Sequence, residues 1–420
     1  MPHLERHHYV PKRILNNFGT EKSNGKYEVC LIDLLETKAE YRNTESVMYA
    51  KNIYDVSDRD DVKALEKKFN TEIEQPMFEI VDRLLKNTSE VVITRRELEI
   101  IKKYMMIQIF RNLWNMQCYT NPPEEKKLLS DYNIKEGESV PDFWRREMMT
   151  ILDNDWDSLL GSTNLVSVRL HAQMLNTGFL MFFSTKDEFV INDLGVVNER
   201  LPMLISEEMH EGLIKNMKER GEIIFGIKNS GEMADELMKI KKRYLDTAIW
   251  MPLSVNLAVV NVNDIMRRYM MDPMVAVKIG VPLFESDLFG SVTLPEQKYV
   301  NQTAIDADLE NLKKKHSAEI SKLPSEQVDH YKDRLRLMAI TKNKSDDDRY
   351  RYIVHELGPN RTMNWNMSVM NEAYQFLCCK TPVKLIPAIE EYTDMKAIGM
   401  GNMKNDYARY IDILKTLKKY

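Results

Sequence analysis

The sequence is poor in the features that mark secreted, membrane-spanning or strongly electrostatic proteins. Its 420 residues include only four cysteines, and no two of them have the C-x-x-C spacing of a zinc or redox motif. No run approaches the roughly 18 apolar residues of a membrane span. The net charge of −5 gives no overall attraction to nucleic acid or anionic lipid. These absences predict a soluble, cytoplasmic protein that does not contact a membrane.

The common signatures of known enzymes are also missing. The chain has no Walker A motif, no G-x-G-x-x-G, no G-x-S-x-G and no H-E-x-x-H. The four cysteines, Cys30, Cys118, Cys378 and Cys379, fit a reducing compartment, and Cys378 and Cys379, which lie on an apolar run, are expected to be buried thiols. Any active site must therefore be inferred from less familiar patterns.

Hydrophobic spacing predicts more helix than strand. Apolar residues recur at three- and four-residue intervals in several segments, which is typical of amphipathic helices, and they alternate in others, which is typical of strands. Helices are expected at 62–84, 94–118, 142–160, 364–379 and 407–419, and strands at 26–33, 39–49, 179–184, 188–192, 249–254 and 257–262. The first two strands, within residues 26–49, are expected to form an antiparallel hairpin or meander. The expected fold class is α+β but predominantly α-helical: a helical bundle with a small antiparallel β-sheet and a charged helical insertion.

Changes in composition divide the chain into three expected parts. Residues 1–282 form a core domain, within which 198–245 is predicted to be an insertion rich in Glu, Lys, Met and Gly. Residues 283–360 are the charged helical insertion, and residues 361–420 are C-terminal helices that pack on the core. Two charge runs of opposite sign, Lys313–Lys315 and Asp346–Asp348, are expected to form a solvated helix face and a solvated turn.

Two adjacent histidines near the start of the chain are the most site-like feature. His7-His8-Tyr9-Val10-Pro11 precedes a short apolar turn that ends at Gly19. Pro at the first helical position and Gly just past the end favour a short helix. Free N–H groups at its N-terminus would attract anions. Two neighbouring imidazoles are also a poor way to fill a core.

Polar residues on the predicted helices supply partners for these histidines. Glu66 and Glu74 flank the apolar stripe of the 62–84 helix, in which Pro76 is expected to cause a kink or interruption. Gln108 and Arg111 belong to one polar stripe on the helix that starts with the capping-box pattern Thr94–Glu97. Asp193 follows a predicted strand.

These segments resemble, in the same order, the microbial domain-of-unknown-function family 4238. Its members begin H-H-Y-V-P followed by L-x-x-F, which matches residues 7–11, Leu15 and Phe18. Shorter similarities follow along the chain. In the first half they are an aromatic segment at 50–54, L-E and I-E pairs that end at Glu66 and Glu74, and Q-x-x-R at Gln108 and Arg111. Further on they are F-I-T-S-D at 189–193, P-L-S at 252–254 and an Asn at Asn371. The chain departs from the family at Ile14, where an aromatic is usual, and after Asp193. The resemblance carries no established activity, so it identifies a region and not a reaction.

The sharpest functional hypothesis collects His7, His8, Glu66, Glu74, Gln108, Arg111 and Asp193 into one catalytic site. Histidine and carboxylate side chains bind divalent metals and transfer protons near neutral pH, so His7, His8 and Glu66 are the expected ligands of Mg²⁺, Mn²⁺ or Zn²⁺. Arg111 would neutralise a developing anion. Such a site suits a metal-dependent, nuclease-like hydrolase of phosphodiesters, in microbial defence or as a toxin effector.

Other hypotheses stay open. The same residues could be structural, with Glu66 and Arg111 as an ion pair between helices. The pocket could bind a nucleotide or phage component without turnover, as in a sensor or adaptor. Residues 295–355 could dock a protein partner. A last pattern, Arg349 to His355, has the spacing found on one helix face in some ribonucleases.

Overall fold

A computed structural model describes thirteen stretches of the chain: residues 6–51, 53, 64–87, 89–111, 138–156, 158–159, 172, 175–176, 178–202, 244–262, 295–323, 325–398 and 403–417. Cys118 and most of the predicted 198–245 insertion lie outside them. The strands are β1 (Arg6–His8), β2 (Thr20–Glu21), β3 (Tyr27–Asp33), β4 (Lys38–Asn43), β5 (Tyr49–Lys51), β6 (Glu90–Thr94), β7 (Phe179–Thr185), β8 (Ile191–Asn192), β9 (Val197–Pro202), β10 (Tyr244–Ser254), β11 (Leu257–Val262), β12 (Glu296–Lys298), β13 (Arg349–Leu357) and β14 (Phe376–Cys379).

Helices connect and cover these strands. They are α1 (Lys12–Asn16), α2 (Ala64–Lys68), a π-helical turn (Phe69–Glu74), α3 (Gln75–Lys86), α4 (Arg95–Arg111), α5 (Val140–Asp153), α6 (Gln302–Lys315), α7 (Ser317–Ile320), α8 (Ser325–Lys342), α9 (Pro359–Glu372), α10 (Pro382–Ala397) and α11 (Ile411–Thr416). No helix in the part of the chain described here is both long and apolar enough to cross a membrane.

The predicted helical bundle with one small antiparallel sheet is wrong. The described strands form three sheets, of two, five and seven strands, and β13 pairs in parallel with β7. The chain is therefore an α+β protein with substantial sheet. The prediction failed because strands such as β13 are built from charged residues alternating with tyrosines, and charge was taken as a sign of solvated helix.

Strand β13 is the branch point of the seven-stranded sheet, next to the edge strand β12. It pairs with β12 and β6, both antiparallel, and its C-terminal half pairs with β7. The sheet continues through β11 and β10 to β9. Residues 349–357, which belong to the stretch expected as a charged helical insertion, are thus part of this sheet. The Arg349-to-His355 spacing falls on a strand and not on a helix face, which removes its likeness to a helical ribonuclease site.

An aromatic cluster joins helix α9 to this sheet. The ring of Trp365 lies 5.0 Å from that of Phe183 and 4.8 Å from that of Trp250, measured between ring centroids. Buried aromatic contacts of this kind contribute beyond the area that they remove from water. The C-terminal part of the chain is therefore packed into the main core.

The five-stranded sheet brings the two ends of the chain together. The predicted 26–49 hairpin is confirmed as β3 and β4, and the opposite edge of β3 pairs with β14. Cys378 and Cys379 are buried as predicted, and Cys30, which lies opposite Cys379, is also buried. However, Phe376–Cys379 is strand β14 and not the end of a helix, since α9 already ends at Glu372.

Helix α4 starts with the predicted capping box. The backbone N–H of Thr94 donates to Glu97 Oε2 (2.8 Å), and the N–H of Glu97 donates to Thr94 Oγ1 (3.2 Å). This fixes the first turn of the helix that carries Gln108 and Arg111.

The acidic turn at 346–348 is solvated only in part. Asp346 and Asp347 are exposed as expected, but the side chain of Asp348 is fully buried. It accepts hydrogen bonds from the Arg95 guanidinium (3.0 Å) and from the backbone N–H groups of Val300 (2.9 Å) and Ser345 (3.0 Å). Burial raises the pKa of this carboxyl, but the donors outweigh it and hold the pKa below its usual value. Asp348 therefore joins helix α4 to the 295–348 segment.

We predict that Asp348→Ala lowers the free energy of unfolding by about 3–5 kcal/mol, because the partly buried Arg95 loses its counter-charge and the backbone N–H groups of Val300 and Ser345 lose their acceptor. Urea denaturation measures the change. The control Asp347→Ala removes an exposed carboxylate and should stay within about 0.5 kcal/mol of the wild type. Equal effects of the two variants would contradict the role of Asp348.

Candidate functional site

Strand β1 carries both histidines of the opening motif and pairs with β5. His7 lies opposite Ala50, and His8 lies opposite Tyr49. Successive side chains point to opposite faces of a strand, so the two rings diverge. The His7 residue is only 1% exposed, whereas His8 is half-buried. The structure therefore places one imidazole inside the fold and the other on its outer side.

The short helix predicted after Pro11 is present as α1. Pro11 is its N-cap, and Ile14 and Leu15 are buried. Lys12, at its start, pairs with Glu45 (3.1 Å). With five residues the helix has little dipole with which to attract an anion, so it serves to turn the chain away from β1.

Glu66 and Glu74 lie on one continuous helical segment with a π-helical turn between them. In a regular α-helix, residues eight apart are about 80° out of phase. A π turn rotates less per residue, so it brings the two carboxylates closer to one face. Pro76 follows directly, and its ring would clash with the carbonyl of residue 72 in a regular α-helix. The irregularity predicted at Pro76 is present as this π-helical turn; Glu66 meets His7 of β1, and Glu74 meets Arg111 of helix α4.

His7 and Glu66 form the inner part of the site. The Nε2 atom of His7 lies 3.2 Å from Glu66 Oε2, which is within ion-pair distance when the ring is protonated. The His7 side chain is 0% exposed and that of Glu66 is 40% exposed. A buried imidazole thus lies within ion-pair distance of a carboxylate that still reaches solvent.

Arg111 ties the helices to the backbone of the motif. Its guanidinium pairs with Glu74 and donates to the backbone carbonyl of His8 (2.7 Å). It also lies over the ring of Phe69, 5.0 Å from the centroid. The Arg111 side chain is 6% exposed and the Glu74 side chain 15%. The expected pair between Glu66 and Arg111 is therefore replaced by two pairs, His7–Glu66 and Glu74–Arg111.

Gln108 holds the next residue of the motif. Its Nε2 donates to the carbonyl of Tyr9 (2.7 Å) and to that of Leu194 (3.1 Å). Gly195 packs against this amide and has a φ of +69°, and a Cβ atom there would lie 2.9 Å from Gln108 Nε2. Gln108 thus connects the motif to the 192–195 turn, and Gly195 is required for the close approach.

The outer imidazole is held in a mainly uncharged state. His8 Nε2 lies 3.3 Å from the carbonyl of Thr44, to which only a protonated nitrogen can donate. Burial lowers the pKa of His8, and Arg111 and Lys12 lower it further, while the Thr44 contact and Glu74 act in the opposite direction. Near neutral pH the ring is a proton acceptor more than a donor.

Asp193 serves the C-terminal segment instead of the motif. Its carboxylate accepts hydrogen bonds from the backbone N–H groups of Tyr374, Gln375 and Phe376. Burial raises the pKa of this carboxyl against the effect of those donors. Asp193 reaches the site only through its neighbours Leu194 and Gly195.

The expected metal ligands do not converge. His7 and Glu66 supply two donor groups to one place, but His8 faces the other side of its strand. Throughout the described stretches, no three His, Cys, Asp or Glu side chains are grouped to hold a metal ion. These residues therefore do not fit the ligand set His7, His8 and Glu66.

Residues that the sequence did not single out complete the site. Tyr49 contacts His8 across the two-stranded sheet, with ring centroids 5.9 Å apart, and Thr44 contacts the same ring. Tyr49 could have been noticed in the sequence as the aromatic residue that ends the predicted strand at 39–49. Nothing in the sequence indicated that this segment returns to pair with the histidines.

Comparison with known proteins confirms the family. Residues 6–381 match the model of a family described as "Protein of unknown function (DUF4238)", and the chain belongs to that family. No curated protein and no solved structure matches the chain.

We predict that Arg111→Met lowers the free energy of unfolding by about 3–5 kcal/mol, because the poorly exposed Glu74 carboxylate loses its counter-charge. In the control, Arg42→Met breaks a half-exposed pair with Glu40, which should cost no more than about 1 kcal/mol. Chemical denaturation compares the two. A small effect of Arg111→Met would show that this ion pair does not stabilise the site.

Proposed function

We propose that the protein is a hydrolase that cleaves phosphodiesters, in the manner of a nuclease. The observation that carries the proposal is the His7–Glu66 pair, in which the Nε2 atom of a fully buried imidazole lies 3.2 Å from a carboxylate that is 40% exposed. Histidine–carboxylate pairs are a recurrent means of proton transfer. Such an activity would suit the defence or toxin role expected from the sequence.

Glu66 is the proposed general base. Its carboxylate takes a proton from water, the water oxygen attacks phosphorus, and the bond to the leaving oxygen breaks as that oxygen gains a proton from solvent. His7 acts as a positioning residue, since its buried ring cannot touch a substrate. His8, which is partly accessible and mainly uncharged, lies on the other face of the strand.

Arg111 also has a positioning role in this proposal. Its charge is already neutralised by Glu74, and its remaining contact is to the His8 carbonyl. It stabilises the strand that carries the histidines. The negative charge that develops on the phosphate during the reaction must be stabilised by other groups.

A non-catalytic nucleotide or phage-component sensor is the second candidate. The same Glu74–Arg111 pair favours it, because the most buried cation of the site is neutralised in advance and is not held ready for a transition state. Ligand binding that raises the melting temperature without turnover would support this alternative.

The test compares Glu66→Gln with the control Glu79→Gln. Glu79 is an exposed residue of helix α3, so the control makes the same chemical change away from the site. Substrates are bis(p-nitrophenyl) phosphate and labelled RNA and DNA, each with chelator and with Mg²⁺ or Mn²⁺. We expect Glu66→Gln to lower kcat by about 100-fold or more, as for loss of a general base, and Glu79→Gln to leave it unchanged. The proposal is rejected if the wild type cleaves none of these substrates under any condition, or if both variants match it.

A further inference from the structure

The outer face of the β1–β5 ladder combines positive charge with an aromatic ring. Arg6 and His8 share one face of β1 because they are two residues apart. Their partners across the ladder, Lys51 and Tyr49, lie on that same face. Arg6 and Lys51 are exposed, and Tyr49 and His8 are half-buried. Three basic side chains and the Tyr49 ring therefore share the face of β1 opposite to the one on which His7 meets Glu66.

The charges on this surface are not neutralised. Neighbouring cations have carboxylate partners: Lys12 pairs with Glu45, and Arg13 pairs with Asp82. Across the parts of the chain that are described, neither Arg6 nor Lys51 has such a partner. The protein as a whole has a net charge of −5, but these two cations lie opposite each other on one short ladder. They make this surface locally positive, so that it attracts an anion.

The arrangement of Arg6 favours a ligand that has both a flat ring and a phosphate. Its guanidinium lies over the Tyr49 ring, 4.8 Å from the centroid. An arginine laid flat on an aromatic ring keeps its N–H edge for phosphate and presents its own plane for stacking. Unpaired bases stack on aromatic side chains and on guanidinium planes, whereas bases inside a duplex do not expose their faces.

We infer that this face, defined by Arg6, His8, Tyr49 and Lys51, binds single-stranded nucleic acid. Arg6 and Lys51 contact backbone phosphates, and a base stacks on the layer formed by Arg6 and Tyr49. The inference rests on the proposed function, for which it names the substrate as a single strand. It places the strand on the outer side of β1.

Fluorescence polarisation with fluorescein-labelled U15 and dT15 tests the inference directly, without a need for turnover. The double variant Arg6→Ser/Lys51→Ser should weaken binding by about tenfold or more and reduce the slope of log affinity against log salt by about 1.4, for two lost phosphate contacts. The control Lys38→Ser/Arg42→Ser removes two exposed cations that are paired with Glu36 and Glu40, and it should bind as the wild type does. The two oligonucleotides show whether RNA or DNA is preferred.

The stacking contact has its own variants. Tyr49→Leu should weaken binding by about fivefold or more, as for loss of one stacked base, whereas Tyr49→Phe keeps the ring and should retain the affinity. Circular dichroism confirms that each variant is folded. Loss of affinity in both variants, or in neither, would contradict stacking at Tyr49.

Several results would overturn the inference. These are no binding of either oligonucleotide at low salt, equal binding by the Arg6→Ser/Lys51→Ser variant, tighter binding of a duplex of the same length, or equal competition by polyglutamate. The last result would indicate an acidic polypeptide as the ligand. If the Arg6→Ser/Lys51→Ser variant loses binding but no phosphodiester is cleaved, the inference stands and the hydrolase proposal fails. If Glu66→Gln abolishes cleavage but binding is independent of Arg6 and Lys51, the inference alone fails.

Discussion

The site depends on how the backbone of strand β1 is fixed. Two side chains of one helix hold consecutive carbonyls of the motif: Arg111 donates to His8, and Gln108 donates to Tyr9. Both donors are buried, where a hydrogen bond is stronger than it is in water. The bond from Arg111 is stronger still, because its guanidinium is charged. Once these two carbonyls are fixed, the alternation of a strand decides which histidine faces inward. The inner face with Glu66 and the outer face with Tyr49 both follow from this.

The two faces divide the work that the proposed function requires. The inner face offers a carboxylate oriented by a buried ring, which suits proton transfer. The outer face offers uncompensated positive charge and a stacking surface, which suits binding of a polyanion. Two adjacent histidines on one strand connect the inner and outer faces, because neighbouring side chains of a strand point to opposite sides. The π-helical turn before Pro76 lies between Glu66, which meets His7 on the inner face, and Glu74, which pairs with Arg111.

Much of the site could be predicted from the sequence, because its members are polar residues at unusual places on amphipathic helices. Glu66, Gln108 and Arg111 contact the opening motif directly, and Glu74 is connected to it through Arg111. The alternative of an ion pair between Glu66 and Arg111 was wrong, because the effect of a π turn on the phase of a helix cannot be read from residue spacing. Local patterns also gave the 26–49 hairpin and the Thr94 capping box. They did not give strand β13 or the buried Asp348, which pair with residues more than 200 positions away in β6 and at Arg95.

A double-mutant cycle on His7 and Glu66 tests the central claim most directly. The free energies of unfolding are measured for the wild type, His7→Gln, Glu66→Gln and the double variant, so that the coupling between the two side chains is isolated. If the inner imidazole holds the carboxylate, the coupling energy should be about 1 kcal/mol or more. Additive effects, with no coupling, would show that His7 does not hold Glu66, and the proposed base would lose its support.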